Sequence, residues 1–283
     1  MLLPGSNTEN IMPLNRVEPL YSLGEIKAGN LEVFITRDPQ DIMAAQALRY
    51  QVFFEEMGAK PTPNTLASKL DADDFDAVCD HLLVVEHPEG GGDGYKVVGT
   101  YRLLRREMME SIGNFYTDSE FDITTIKNYK GEILEVGRSC VHADFRNRSV
   151  MQLLWRGIGA YVTKFSIGLI FGCASFHGTD PKKHAMALSY LHHFHLAPEE
   201  ICPRALDSRY VEMNLMPKED VDVKESFSNL PPLIKGYLRL GGYIGAGAVI
   251  DHDYNTTDVS IVVKTNLVTE KYATRYGSSK EID

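Results

Sequence analysis

The chain is short of cysteine, has a single tryptophan and contains no long apolar run. Each shortage removes a class of explanation. Cys79, Cys140, Cys173 and Cys202 stand far apart with no Cys-x-x-Cys pair. Zinc-ribbon and dithiol-redox motifs are therefore not expected, and reduced thiols of a cytoplasmic protein are. No segment approaches the roughly 18–20 apolar residues of a membrane span. Met1 to Gly5 carry neither a basic segment nor a long apolar stretch, so no secretory signal is expected there. Basic charge is also in deficit: 29 Lys and Arg against 39 Asp and Glu give a formal net charge of −10. That sign repels phosphate backbones and argues against nucleic acid as a partner. His177, His184, His192, His193 and His195 form a loose group without convincing ligand spacing, so no metal is expected.

What is present is an ordinary globular composition over 283 residues, enough for one sizeable core. Residues 1–29 mix Pro, Asn, Ser and Gly without a period and predict a loose leader. Leu31 to Ile35 predicts a strand. Asp38-Pro39 opens a helix, with Asp as N-cap and Pro at the first position, running to Gly58. Strands are expected over His81–Glu86, Lys96–Leu104, Glu132–Val141 and Gly168–Ala174, with helices over Val150–Phe165 and Lys183–Phe194. Such an order predicts an α/β fold with a mixed central sheet flanked by helices. Residues 30–215 would form the core, and 216–283 an extension packed on it or completing it. Within the extension, Val211–Met216 (at its border) and Val259–Val263 read as strands, and Pro231-Pro232 starts a helix through Leu240. Gly241 to Gly247 is too glycine-rich for a regular element. Phe227 to Ile250 would either dock on the sheet or rest on a membrane surface.

Six charges fall in apolar or strand-like settings: Arg49, Asp73, Asp76, Arg102, Glu135 and Arg138. Unpaired burial of such groups costs several kcal/mol, so they must pair or line a site. A structural ion-pair network bracing a sheet edge is the even-handed alternative to a functional centre.

The same residues carry a resemblance. Leu48-Arg49-x-x-Val52-Phe53, Asp73-Asp74-Phe75-Asp76, Gly99-x-x-Arg102-Leu103-Leu104 and Glu135-x-Gly137-Arg138 resemble the autoinducer-type acyl-homoserine-lactone synthases, a branch of the GNAT superfamily. Two positions depart: Gly137 stands where those synthases usually carry serine, and the tryptophan after the first motif is missing. Further on, Ala174-Ser-Phe-His177-Gly178-Thr-Asp180, Leu230 to Gly241 and Asp251-His-Asp-Tyr-Asn255-Thr-Thr-Asp258 are similar to a sister family once labelled hemolysin-like. That family includes ornithine N-acyltransferases, and the likeness runs from about residue 30 nearly to the end.

The resemblance implies a GNAT-like fold and transfer of a 3-hydroxyacyl group from acyl carrier protein to the α-amine of ornithine. The product would be lyso-ornithine lipid, the first step toward ornithine lipid. It implies no cofactor beyond the phosphopantetheine thioester of the co-substrate. Glu135 matches the glutamate given the general-base role, acting directly or through a water, with a salt bridge to Arg138 or Arg102 as its structural alternative. Arg49, Arg102 and Arg138 would order the loop at Asp73 and Asp76 or hold donor and acceptor carboxylate. Oxyanion donors would be backbone N–H groups near Arg138 to Val141. Arg146, Arg148 and Ser149 lie where related enzymes place a pyrophosphate loop. Its usual glycines are absent, which favours a carrier-borne phosphopantetheine over free CoA. The expected partners are acyl carrier protein and a small amino acid, in the cytoplasm, with peripheral contact at the inner membrane left open. Two alternatives stand beside this. The first is the same donor with another acceptor, including homoserine-lactone synthesis. The second is a non-catalytic protein that binds the carrier or a membrane surface.

Overall fold

The computed structural model describes residues 21–266 apart from 91, 93 and 147. In chain order its elements are β1 (Ile26–Ala28), β2 (Leu31–Thr36), α1 (Pro39–Tyr50), α2 (Pro63–Ser68), β3 (Asp80–Glu86) and β4 (Lys96–Arg105). Then come α3 (Arg106–Met109), β5 (Phe121–Asp122), α4 (Thr124–Lys127), β6 (Glu132–Val141), α5 (Arg148–Lys164) and β7 (Ile167–His177). The rest are α6 (Ala185–His195), β8 (Arg204–Ala205), α7 (Val223–Asn229), α8 (Pro232–Arg239), β9 (Tyr243–Asp251) and β10 (Thr256–Lys264). They fall into two compact units.

The first unit holds the described residues of Met1–Val52, Thr62–Arg102 and Arg138–Tyr161. Its strands lie in the order β1-β2-β3-β4, with the end of β6 beside β4. Leu82, Leu83, Val84 and Val85 of β3 are all inaccessible, so this strand is covered on both faces. One cover is α5, whose Val150, Leu153, Leu154, Ile158 and Tyr161 recur at helical spacing and are buried. Gly157 lets that helix approach closely, since a Cβ there would meet Leu82 Cδ1 at 2.7 Å. Helix α1 starts as the sequence predicts: Asp38 accepts from the Gln40 N–H at 2.8 Å, and Pro39 follows. The α-helix ends at Tyr50 rather than near Gly58, and the chain continues through a wider turn, Gln51–Glu56.

The leader expectation needs correction at its end. Ile26–Ala28 pairs antiparallel with Leu31–Val33 across the two-residue turn Gly29-Asn30, where Gly29 has φ +62°. Such a turn favours a left-handed glycine, and the strand before it is too short to show a period. Of the rest of the expected leader, Tyr21 to Glu25 form no regular element, and 1–20 lies outside the described residues.

The second unit holds the described residues of Phe53–Pro61, Leu103–Gly137 and Val162–Asp283. Its strand order runs from the start of β6 through β7-β10-β9-β8-β5. β6 and β7 are parallel, while β10 is antiparallel to both β7 and β9. Two sequence expectations fail here. Gly241–Gly247 does enter a regular element, for β9 begins at Tyr243. Its glycines answer a close approach: a Cβ on Gly245 would lie 2.7 Å from the Pro203 oxygen, and one on Gly247 2.3 Å from the Tyr210 ring. Val211–Met216 is not a strand. Only Val211 bridges Ala248, and the Leu215 and Met216 N–H groups donate instead to Ser189 Oγ at 3.0 Å each. Helix α8 buries Ile234, Tyr237 and Leu238 and packs against β7 and β10. Its apolar face is thus spent within the protein. No described helix is long and apolar enough to cross a membrane.

Candidate active site

Five of the sequence-selected charges meet in the first unit, joined by Asp71, which the sequence reading did not single out. Arg49 is fully buried in the apolar face of α1. Its Nε donates to Asp71 Oδ2 at 2.8 Å, and its Nη1 and Nη2 grip both oxygens of Asp76 at 3.0 and 2.8 Å. A further bond runs to the Asp71 carbonyl. Arg102, from β4, donates to Asp73 and, at 3.1 Å, to Asp76 Oδ1. Arg138 reaches Asp71 Oδ2 at 3.1 Å and Asp73 Oδ2 at 3.2 Å. Each arginine therefore bridges two aspartates, and charge balances within the group. Burial works against ionising Asp76, yet the hydrogen bonds and charge of Arg49, with Arg102 and Gln46, hold its carboxyl well below the usual range.

Local structure explains the placement. Asp73 caps the short turn Asp74–Ala77, accepting from Phe75 N–H, while Asp76 accepts from Asp73 N–H in return. The turn thus presents its carboxylates to one side. His81 donates from Nε2 to the Asp76 carbonyl at 3.0 Å, and burial pushes its ring down to about 4, so it is neutral. Arg138 sits in β6 with φ +50°, a conformation an L-residue rarely adopts within a strand. Nothing in its sequence context signals this.

Glu135 belongs to the second unit and has different partners. Its carboxylate accepts from Tyr116 N–H at 2.9 Å, Thr117 N–H at 2.7 Å and the Thr117 hydroxyl at 2.5 Å. Those donors sit on the turn Tyr116–Ser119, which the sequence reading left without a role. The parallel ladder between β6 and β7 ends at Glu135↔Phe171 among the described residues, while β7 continues to His177 against β10. Just past that pair, a Cβ on Gly172 would lie 2.2 Å from the Val136 carbonyl oxygen.

Of the three residues expected at the helix N-terminus, Arg146 is exposed and its Nε donates to the Val141 carbonyl at 3.1 Å. Ser149 is exposed in the first turn of α5, and the side chain of Arg148 lies outside what is described. Three of the histidines have structural partners: His184 meets the His177 carbonyl, His193 the Met216 carbonyl, and His195 the Tyr190 hydroxyl.

The sequence reading quoted Asp251 and Asp258 only within a motif, gave neither a role, and did not single out Glu120. Glu120, Asp251 and Asp258 place carboxylate oxygens within 4.8 Å of one another. Burial first, and the Asp258 charge second, push Glu120 up to about 7. Asp258 is also raised by burial, to about 6. Nearby Cys173 is driven well above its ordinary range by burial and by these carboxylates, which leaves it an inert thiol.

A mixed sheet with a parallel β6–β7 pair, a helix between them, and a charged centre on β4 and β6 defines a class. Residues 48–156 match the family model described as an acetyltransferase (GNAT) domain. The fold class is therefore that of the GNAT acyltransferases.

Sequence relatives narrow it. The chain is 45% identical over 258 residues to an L-ornithine N(alpha)-acyltransferase of Brucella abortus (strain 2308), covering 90% of this chain and 91% of that protein. It is 43% identical over 257 residues to one from Agrobacterium fabrum (strain C58 / ATCC 33970), covering 90% and 88%. The chain belongs to the L-ornithine N(alpha)-acyltransferase family. Among solved structures, the AHL synthase LasI is similar at 12% identity, covering 89% of this chain and 97% of that one with a TM-score of 0.45.

Proposed function

We infer that this chain transfers a 3-hydroxyacyl group from acyl carrier protein to the α-amine of L-ornithine, releasing lyso-ornithine lipid and free carrier. The observation that carries this is the 45% identity over 90% of the chain to a relative of that name. A thioester is already activated, so the protein has to position the amine, take its proton and stabilise the oxyanion. The absence of a reactive thiol in Cys173 suits direct attack by the amine.

Glu135 is the base in this reading, and its surroundings favour action through a water. Three donors already hold its two oxygens against the turn Tyr116–Ser119. The Arg49, Arg102 and Arg138 network keeps the Asp71–Asp76 segment ordered, since its charges are spent on one another. Arg146, Arg148 and Ser149 at the start of α5 would meet the phosphopantetheine or the acidic carrier.

The test is to mix purified protein with 3-hydroxyacyl carrier protein and a panel of amino acids, and to read products by mass spectrometry. Acylated ornithine as the main product supports the reading. Release of carrier thiol with no amino acid acylated removes it.

A further inference from the structure

Glu120, Asp251 and Asp258 are far apart in sequence, and the steps above do not use them. Glu120 is 2% exposed and Asp258 5% exposed. Glu120 Oε2 and Asp258 Oδ1 have no hydrogen-bond partner, while the Cys173 thiol stands beside Glu120 and the Ser175 and Thr256 hydroxyls stand beside Asp258. Independently of the acids, Ser260 Oγ is also buried without a partner. Ser260 lies two residues along β10 from Asp258, so strand alternation puts both on one face, opposite Cys173 and Ser175 of β7. Buried polar atoms are almost always satisfied, so two orphan carboxylate oxygens and an orphan hydroxyl on the strand face shared with Asp258 ask for a partner. Among the described residues the cation beside them is Arg209, 3.7 Å from Glu120 Oε1, and its Nη1 and Nη2 also donate to the Ser119 and Ile250 carbonyls.

We propose that Glu120, Asp251, Asp258 and Ser260 receive the side-chain ammonium of the acceptor amino acid, and so set the preference for ornithine over an uncharged amino acid of equal length. The proposal rests on the acyl-transfer reading above and names what that reading leaves open. A primary ammonium has three tetrahedral N–H donors; at about 2.9 Å from each acceptor it holds three acceptors roughly 4.7 Å apart. The carboxylate oxygens here lie within 4.8 Å of one another. A hard dication would call for six or more oxygens at about 2.0–2.6 Å, which fits this group less well.

Placement agrees with the chemistry. Glu120 closes the same turn that holds Glu135, its N–H donating to the Thr117 carbonyl at 3.0 Å. Cys173 Sγ lies 3.8 Å from Thr117 Oγ1, which in turn donates to Glu135. An acceptor with its α-amine at Glu135 and its side-chain ammonium at Glu120 would span one turn.

The experiment compares ornithine with norvaline, which lacks the side-chain amine, as acceptors and as ligands in thermal-shift assays. Wild type, Asp258→Asn, Glu120→Gln and Ser260→Ala are measured with the full chain. Ser260→Ala removes no existing hydrogen bond of the serine side chain, so it is the variant least able to disturb the fold. The expected result is a kcat/KM preference for ornithine that falls at least 10-fold in Asp258→Asn, through a raised KM for ornithine, and several-fold in Ser260→Ala. An unchanged ornithine-to-norvaline ratio in folded variants overturns the proposal. So does an EDTA-reversible shift by magnesium or calcium that depends on Asp258 while ornithine gives none. If ornithine stabilises wild type in an Asp258-dependent way but is never acylated, the ammonium site stands and the transfer reading falls.

Discussion

Thr117 donates twice to a single oxygen of Glu135, from its N–H at 2.7 Å and its hydroxyl at 2.5 Å. The carboxylate is thereby fixed to the turn Tyr116–Ser119, and an amide in its place would turn a donor toward donors. Glu135→Gln is expected to lower kcat by about 10²–10⁴-fold, the usual contribution of a general base. It should also lose on the order of 1–3 kcal/mol of stability. Single-turnover kinetics and urea unfolding separate the two effects. Turnover at the wild-type rate would leave Glu135 with its structural task alone.

Arg49 is the member of the ion-pair group with most to lose. It is inaccessible to solvent and satisfies both Asp71 and Asp76. Arg49→Met fills a similar volume but strands those carboxylates, which predicts a loss of about 3–5 kcal/mol. The pH dependence should change with it. Asp76 is held below its unfolded value, so the stability it contributes is present above the ordinary carboxylate range and is lost as pH falls beneath it. Urea midpoints at pH 7 and pH 3 should differ less in the variant than in wild type. Equal acid sensitivity would mean that other carboxylates dominate.

This network was legible in the sequence because charge inside an apolar pattern is conspicuous. Arg49 interrupts the buried face of α1, and Arg102 and Arg138 interrupt strands. β6 was readable to the residue for the same reason, its apolar run being bounded by polar turns. What stayed hidden was non-local. Glu120, Asp251 and Asp258 come from three segments that only the β7-β10-β9-β8-β5 order assembles. Asp258 alone carried a hint, as a carboxylate within Thr-Thr-Asp-Val-Ser-Ile-Val-Val. The glycines of β9 misled because local preference reports flexibility, while here they answer crowding by Pro203 and Tyr210.

Gly172 offers a test of the point where the β6–β7 ladder ends. A Cβ there would sit 2.2 Å from the Val136 oxygen, and backbone cannot yield as a side-chain tip can. Gly172→Ala should therefore force these strands apart next to Glu135, at a cost of about 1–3 kcal/mol. Activity should fall further than stability explains, because misplacing a catalytic group by an ångström can cost about 10²-fold. A folded variant with wild-type kcat would show that the spacing of β6 and β7 at this position does not govern the reaction.

The raised carboxyls predict a pH dependence of opposite sign to that of Asp76. Glu120 faces Asp258, Asp251, Arg209 and Cys173, and burial with the Asp258 charge lifts it to about 7. Between the ordinary carboxylate range and that value the folded chain binds more protons than the unfolded one, so stability falls as pH rises through the interval. An ammonium seated there would displace the retained proton. Ornithine should then stabilise wild type more at pH 8 than at pH 5.5, and its KM should fall over the same range. Glu120→Gln removes one titrating group and should flatten both trends. Melting temperatures measured across pH 5–8, with and without ornithine, decide it: parallel curves for wild type and Glu120→Gln would mean that this carboxyl does not hold the proton.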